Sequence, residues 1–325
     1  MIGVIKGTGA FAPEKILENE ELTELVDTSD AWIRERTGIV KRHIVTHETT
    51  AEMAAKAARM ALLEADISAK DLDMIIVSTI SSERIMPCTA CSVQRKIGAE
   101  KALCFDLSAA CSGFIVAYNT ACAYIESGLY QKILIIGSES LSNLTNWKDR
   151  GTCVLFGDGA GAAVLTAEEG NGYHPVACSD GTLGEALTLR SRHDHNPFAG
   201  KKVDYEDHIY YMEMDGQAVF KFAARKVPQV IEEVLERNKL KKEEIAYYVL
   251  HQANRRIVET VAKRLKEPIS KFPMNMMEYG NTSSASIPIL LHEMKQKQML
   301  KSGDKVVLAG FGGGLTWGAS VLTWK

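Results

Sequence analysis

Hydrophobic positions along this chain fall into two rhythms, and their alternation points to a class of fold. Residues 113–127 place Phe114, Ile115, Ala117, Tyr118, Ala121, Tyr124 and Ile125 on one face at the helical period, which predicts a helix. Residues 73–77, 132–137, 246–250 and 305–310 are short runs dominated by valine, isoleucine and leucine, the pattern of strands covered on both faces. The opening residues 1–9 read as a first strand, and 255–265 as a helix following a buried strand. Strands alternating with helices predict an α/β body.

The pattern also repeats. Leu62, Ile67, Leu72 and Val77 recur 173 residues later as Leu235, Leu240, Ile245 and Leu250, each set spanning a helix end, a polar connector and a strand. The same offset carries residues 132–137 onto 305–310. Equal spacing between matched blocks predicts two duplicated βαβαβ-type halves, 1–172 and 173–325, packed as layers with pseudo-twofold symmetry. In this register Cys111 falls opposite Ser284. Residues 180–215 carry His, Asp, Asn, Pro and Gly and read as loop or lid.

Candidate chemistry sits at the ends of these elements. Cys111 stands just before the 113–127 helix among small neighbours, where unpaired backbone N–H groups and the helix dipole favour a thiolate. His251 closes the 246–250 strand, and Asn281 lies in a turn of small polar residues that opens another helix. Taken singly, a buried structural cysteine, a hydrogen-bonded histidine and a turn-forming asparagine are the commoner fates of such residues. Together they suit thioester chemistry: cysteine forms an acyl-enzyme, while His and Asn N–H groups stabilise an enolate.

Composition narrows the setting. The chain has 325 residues, 46% apolar and 24% charged, as expected of a globular protein with a substantial core. A net charge of −3 gives no sign of a nucleic-acid partner. Seven scattered cysteines point to a reducing compartment, and the N-terminus does not read as a signal peptide. No apolar run approaches the roughly 18 residues of a membrane span. These features predict a cytoplasmic protein with neither nucleic-acid nor membrane partner.

The ordered motifs then carry a resemblance over almost the whole chain. They are Asp27-Thr28-Ser29-Asp30-Ala31-Trp32-Ile33 with Arg36-Thr37-Gly38-Ile39, and Ala109-Ala110-Cys111-Ser112-Gly113-Phe114. Asp149-Arg150-Gly151-Thr152 follows, running into Leu155-Phe156-Gly157-Asp158-Gly159-Ala160-Gly161-Ala162. His251-Gln252-Ala253-Asn254, Gly280-Asn281-Thr282-Ser283 and Phe311-Gly312-Gly313-Gly314 complete the set. In this order and spacing the chain resembles the β-ketoacyl-acyl carrier protein synthase III family of thiolase-fold condensing enzymes.

The resemblance implies an α/β thiolase-like fold in αβαβα layers, a homodimer, and initiation of type II fatty-acid synthesis. It implies that Cys111 takes an acetyl or other short acyl group from coenzyme A, a substrate rather than a bound cofactor. His251 and Asn281 would promote decarboxylation of malonyl-acyl carrier protein, and the Cys111 and Gly313 backbone N–H groups would form the oxyanion hole. Trp32, Arg36, Thr37, Arg150, Gly151, Met214, Gly216, Phe220, Asn254 and Phe311 would hold the coenzyme A thioester. Lys221, Arg255, Arg256, Lys263 and Arg264 would meet the acidic carrier protein. Met86 stands where the family commonly has phenylalanine in the partner subunit's acyl pocket, which predicts tolerance of primers slightly longer than acetyl.

Other readings are a condensing relative of secondary metabolism or of the 3-hydroxy-3-methylglutaryl-CoA synthase type, a Cys-His hydrolase, and a non-catalytic carrier-binding protein. The hydrolase reading gives no reason for the duplication. Intact Cys111, His251 and Asn281 argue against a non-catalytic protein. The pair Cys88 and Cys91 lacks the second pair a zinc site needs and reads as structural.

Overall fold

The structure is a computed structural model that describes residues 1–190 and 211–325. Each half is built on one sheet. In chain order the first half contains β1 (Ile2–Phe11), β2 (Ile16–Glu18), α1 (Asp30–Thr37), β3 (Lys41–His43), α2 (Thr50–Ala65) and β4 (Met74–Ser78). It continues with α3 (Thr89–Ile97), β5 (Leu103–Leu107), α4 (Gly113–Glu126), β6 (Lys132–Glu139), α5 (Arg150–Cys153) and β7 (Gly159–Glu168). Next come β8 (Val176–Ser179), β9 (Leu187–Thr188), β10 (Glu213–Met214), α6 (Gly216–Arg237), β11 (Ile245–Leu250) and α7 (Arg255–Leu265). The chain closes with α8 (Met276–Tyr279), α9 (Ser286–Gln296), β12 (Lys305–Gly312) and β13 (Thr316–Thr323).

The first sheet has the order β1-β7-β6-β4-β5 and the second β11-β12-β13-β8. Matching them by position in the sheet aligns β1, β7, β6 and β4 with β8, β13, β12 and β11, and the 173-residue offset holds for β1, β4 and β6. In each sheet one matched pair is parallel, β4 with β6 and β11 with β12, while the remaining neighbours in this matched set run antiparallel. The duplication breaks at β5, which pairs with β4 in the first half. The matching stretch of the second half forms α8 and ends at Gly280, whose φ of 66 turns the chain toward Asn281.

Three apolar clusters define the layers. Val77, Leu134 and Val164 face α2 and α3 on one outer side, and Val307, Val321 and Tyr248 face α6 and α7 on the other. Between the sheets, Phe114 and Ala121 of α4 and Ile287, Leu290 and Leu291 of α9 pack with Ile135 and Leu308. The layers therefore run helix, sheet, helix, sheet, helix. Helix α2 starts on a capping box, Thr49 with Glu52, and lies against β1 where Gly7 and Gly9 leave no side chain in its way. The 180–215 segment contains a short turn, Gly181–Ala186, and the β9–β10 pair; its middle, 191–210, lies outside the described residues.

Candidate active site

Two matching turns meet where the halves join. Strand β5 leads into the 3-10 turn Ala110–Ser112, which puts Cys111 just ahead of α4. Ala110 adopts φ 44, and 173 residues on, Ser283 adopts φ 48 in the turn Ser283–Ala285 ahead of α9. Cys111 is 8% exposed. Burial pushes its thiol up to about 12; the Ser283 side chain and the Cys111 backbone work against the rise, and Glu139 adds to it. Burial therefore acts against the thiolate that a helix start favours.

His251 follows β11 and is almost fully buried, with its N–H donated to the Ala309 carbonyl at 2.9 Å. Its Nδ1 lies 2.8 Å from Ser286 Oγ. Ser286 Oγ also accepts the Gln252 N–H at 3.3 Å, and its own proton is available to Nδ1, an arrangement in which the imidazole proton stands on Nε2. Burial lowers this histidine to about 3, so the ring is neutral at neutral pH and presents an N–H donor. Phe311 packs edge-on against it, centroids 5.4 Å apart. Asn281 is fixed by Asn281 N–H to Leu155 O, 2.9 Å, and Gly157 N–H to Asn281 O, 3.0 Å. Its Oδ1 accepts the Ser283 N–H at 2.9 Å, which leaves the Nδ2 protons as donors.

Small residues lie between the elements that carry Cys111, His251 and Asn281. A methyl group at Gly310 would lie 3.6 Å from His251 Cβ and 3.7 Å from Cys111 O. Ser283 links Asn281 to the sulfur's surroundings. A methyl at Gly312 would stand 2.6 Å from the Cys111 nitrogen, so a side chain there would displace the nucleophile's backbone. This close approach is what the glycine run accomplishes.

A cavity of about 1500 Å³ opens at Cys111, Ser283 and Gly313. Neither His251 nor Asn281 lines it. Leu141, Phe156 and Met212 form a buried apolar cluster in its wall, with Ile80, Leu144 and Leu189 beside them. Ile85 and Met86, 72% and 84% exposed, also contribute to the lining.

The residues ascribed to the coenzyme A arm lie outside this cavity. The Arg150 guanidinium stacks 4.8 Å above the Trp32 ring and donates to Asp27 O at 2.9 Å. Gly151 follows it in α5, its N–H bonded to Asp149 Oδ1. Asn254 caps α7 through the Arg256 N–H and donates to Arg36 O at 3.0 Å, tying α7 to α1. Arg256 lies over Phe220 at 5.4 Å, and Gly216 faces Met214 at the start of α6. Thr37 is buried with its hydroxyl donated to Ile33 O and accepting from Ile39 N–H, so it closes α1.

Lys221, Arg256, Lys263 and Arg264 are exposed. Arg255 instead packs on Gly38 and pairs with Glu259 at 3.5 Å. The Cys88 and Cys91 sulfurs are 3.4 Å apart, and among the described residues no cluster suits a metal ion. Sequence reasoning missed Ser286, Ser283 and Glu139. The 173-residue register held a signal for the first, because it pairs His251 and Ser286 with Ser78 and Gly113.

Known proteins resemble this chain over almost its whole length. Residues 105–181 match the model described as 3-oxoacyl-[acyl-carrier-protein (ACP)] synthase III, and 235–324 match its C-terminal counterpart. The β-ketoacyl-[acyl-carrier-protein] synthase III of Clostridium novyi is 49% identical over 322 residues, covering 99% of this chain and 98% of that protein. The crystal structure of 3-oxoacyl-[acyl-carrier-protein] synthase III from Aquifex aeolicus VF5 superposes with a TM-score of 0.92 at 42% identity, covering 99% of this chain and 100% of that one. The priming β-ketosynthase of the R1128 polyketide pathway gives a TM-score of 0.93 at 31% identity, covering 99% and 96%.

A duplicated, layered α/β body that matches these solved structures over almost its whole length defines a thiolase-like condensing enzyme. The reaction class is acyl transfer by carbon–carbon condensation. Within that class, this chain belongs to the β-ketoacyl-[acyl-carrier-protein] synthase III family.

Proposed function

We propose that the protein condenses a short acyl-CoA primer with malonyl-acyl carrier protein through an acyl-Cys111 intermediate. In the first half-reaction the Cys111 sulfur bonds to the acyl carbon, the coenzyme A sulfur leaves, and the thiol proton ends on coenzyme A. The Cys111 and Gly313 N–H groups hold the oxyanion. In the second, the malonyl carboxylate departs as carbon dioxide, and the enolate oxygen is held by His251 Nε2–H and Asn281 Nδ2–H. The enolate carbon then attacks the acyl-Cys111 carbonyl, the sulfur leaves, and the product is a 3-ketoacyl-carrier protein.

One observation supports this reading: a buried thiol faces an apolar-walled cavity, Asn281 is bonded to Ser283 in its lining, and Gly310 separates a neutral histidine from Cys111. Trp32 and Arg150 suit a flat base and phosphates, and Lys221, Arg256, Lys263 and Arg264 suit an acidic carrier. A homodimer through the free edge of β5, beside the exposed Ile85 and Met86, would cover an unpaired strand. The halves 1–172 and 173–325 then act as one catalytic unit, and seven free cysteines fit the cytoplasm.

Incubation with acetyl-CoA should add about 42 Da at Cys111, and malonyl-acyl carrier protein should then discharge it with release of carbon dioxide. Modification elsewhere, or condensation only with free coenzyme A extenders, overturns the reading. A panel of acetyl-, butyryl- and branched acyl-CoA tests the Met86 expectation; strict acetyl preference overturns that part alone.

A further inference from the structure

Glu139 is a buried carboxyl that the reaction as described does not use. It ends β6, is fully buried, and joins the two halves. One oxygen, Oε2, accepts Ser81 Oγ–H at 2.6 Å, Ile80 N–H at 3.1 Å and Thr79 Oγ1–H at 3.2 Å, all from the chain following β4. The other, Oε1, lies 2.9 Å from Ser284 Oγ in the turn that carries Ser283 and follows Asn281. We propose that Glu139 is a positioning residue for the condensation: as a neutral acid it clamps the Asn281–Ser284 turn of one half to the Thr79–Ser81 cavity wall of the other.

The proton count supports the neutral acid. Ser284 Oγ has one proton and two acceptors within reach, Ser78 O at 3.0 Å and Glu139 Oε1 at 2.9 Å. Both contacts become hydrogen bonds when Glu139 carries a proton on Oε1 and donates it to Ser284, which donates its own to Ser78. An ionised Glu139 leaves one of them unmade. Among the described residues no lysine or arginine pairs with Glu139, and the titratable group that faces it is Cys111. Burial raises Glu139 to about 7, against the pull of its hydroxyl and amide partners. Below that pH it is neutral and leaves the nearby sulfur unopposed. Above it, a carboxylate disfavours the thiolate that acylation requires and loosens the clamp.

The inference rests on acylation of Cys111, and the test separates the two. Rates of Cys111 acylation by acetyl-CoA are measured from pH 6 to 9 by quenched mass spectrometry for the wild type and Glu139→Gln, a neutral isostere. The ratio of variant to wild type should be near one at pH 6 and rise about three- to tenfold by pH 8.5, which corresponds to a Coulomb repulsion of about 0.7 to 1.4 kcal/mol. A pH-independent ratio overturns the inference, whereas absence of wild-type acylation overturns the underlying function instead. Ser284→Ala removes only the far end of the clamp. It should lower condensation with malonyl-acyl carrier protein several-fold more than acylation. Equal effects on both steps, or no effect on either, overturn the clamp.

Discussion

Cys111 and Ser284 occupy the same place in two copies of one design, yet their surroundings diverge. Facing Cys111 is Gly312, bare enough for its backbone to touch the nucleophile; facing Ser284 is the matching residue of the other half, Glu139, whose carboxyl bonds to the serine. His251 and Ser286, bonded at 2.8 Å, correspond to Ser78 and Gly113, where a methyl on the glycine would stand 1.7 Å from the serine oxygen. One half has room for an imidazole and its partner; the other closes over the same space. The backbone repeats, and the chemistry follows from which side chains have been left out.

The strongest way to break this comparison is to exchange its two centres. C111S should lower condensation by at least about 10³-fold, and C111S/S284C should not restore it, because the second niche lacks the glycine approach. Condensation and thiol acylation by mass spectrometry decide this, and an active double variant would show the niches to be equivalent. Next in size, G312A pushes on the Cys111 nitrogen and should slow acylation by about 10²-fold, measured in the half-reaction with acetyl-CoA. S286A removes the partner of His251 Nδ1 and should lower decarboxylation by about tenfold while sparing acylation, in line with one hydrogen bond of about 1 kcal/mol.

Smaller still is the effect of pH on the histidine. Because burial holds it at about 3, the imidazole stays uncharged as pH falls from 8 to 5. Malonyl decarboxylation measured without primer in Glu139→Gln, whose clamp does not titrate, should change by less than about twofold over that range, whereas an imidazole of ordinary affinity would lose activity through its usual range near 6.5.

Much of this was legible in the chain. The helical periodicity predicted α4 to within one residue at its end, and the limits of α7 agree. The 173-residue register anticipated the paired β6 and β12 strands and the opposed turns. The burial that acts against a thiolate at Cys111 was not legible, since a local pattern reveals the helix end and not what the other half contributes. Glu139 was hidden for the same reason: its partners lie 58 to 60 residues before it and 145 after it. The helix α8 in place of a fifth strand escaped notice because the periodic comparison had matched only the residues on either side of it.

The stacked central helices α4 and α9 begin at opposing turns and come from different ends of the chain. During synthesis the ribosome releases Cys111 long before Gly312 exists to press against it. A nascent chain with its first sheet complete has the sulfur, its helix and Glu139, but neither Ser283 nor Gly312. Under the proposed mechanism competence arrives late, when the last strands insert, and an unfinished polypeptide would be spared from consuming coenzyme A thioesters.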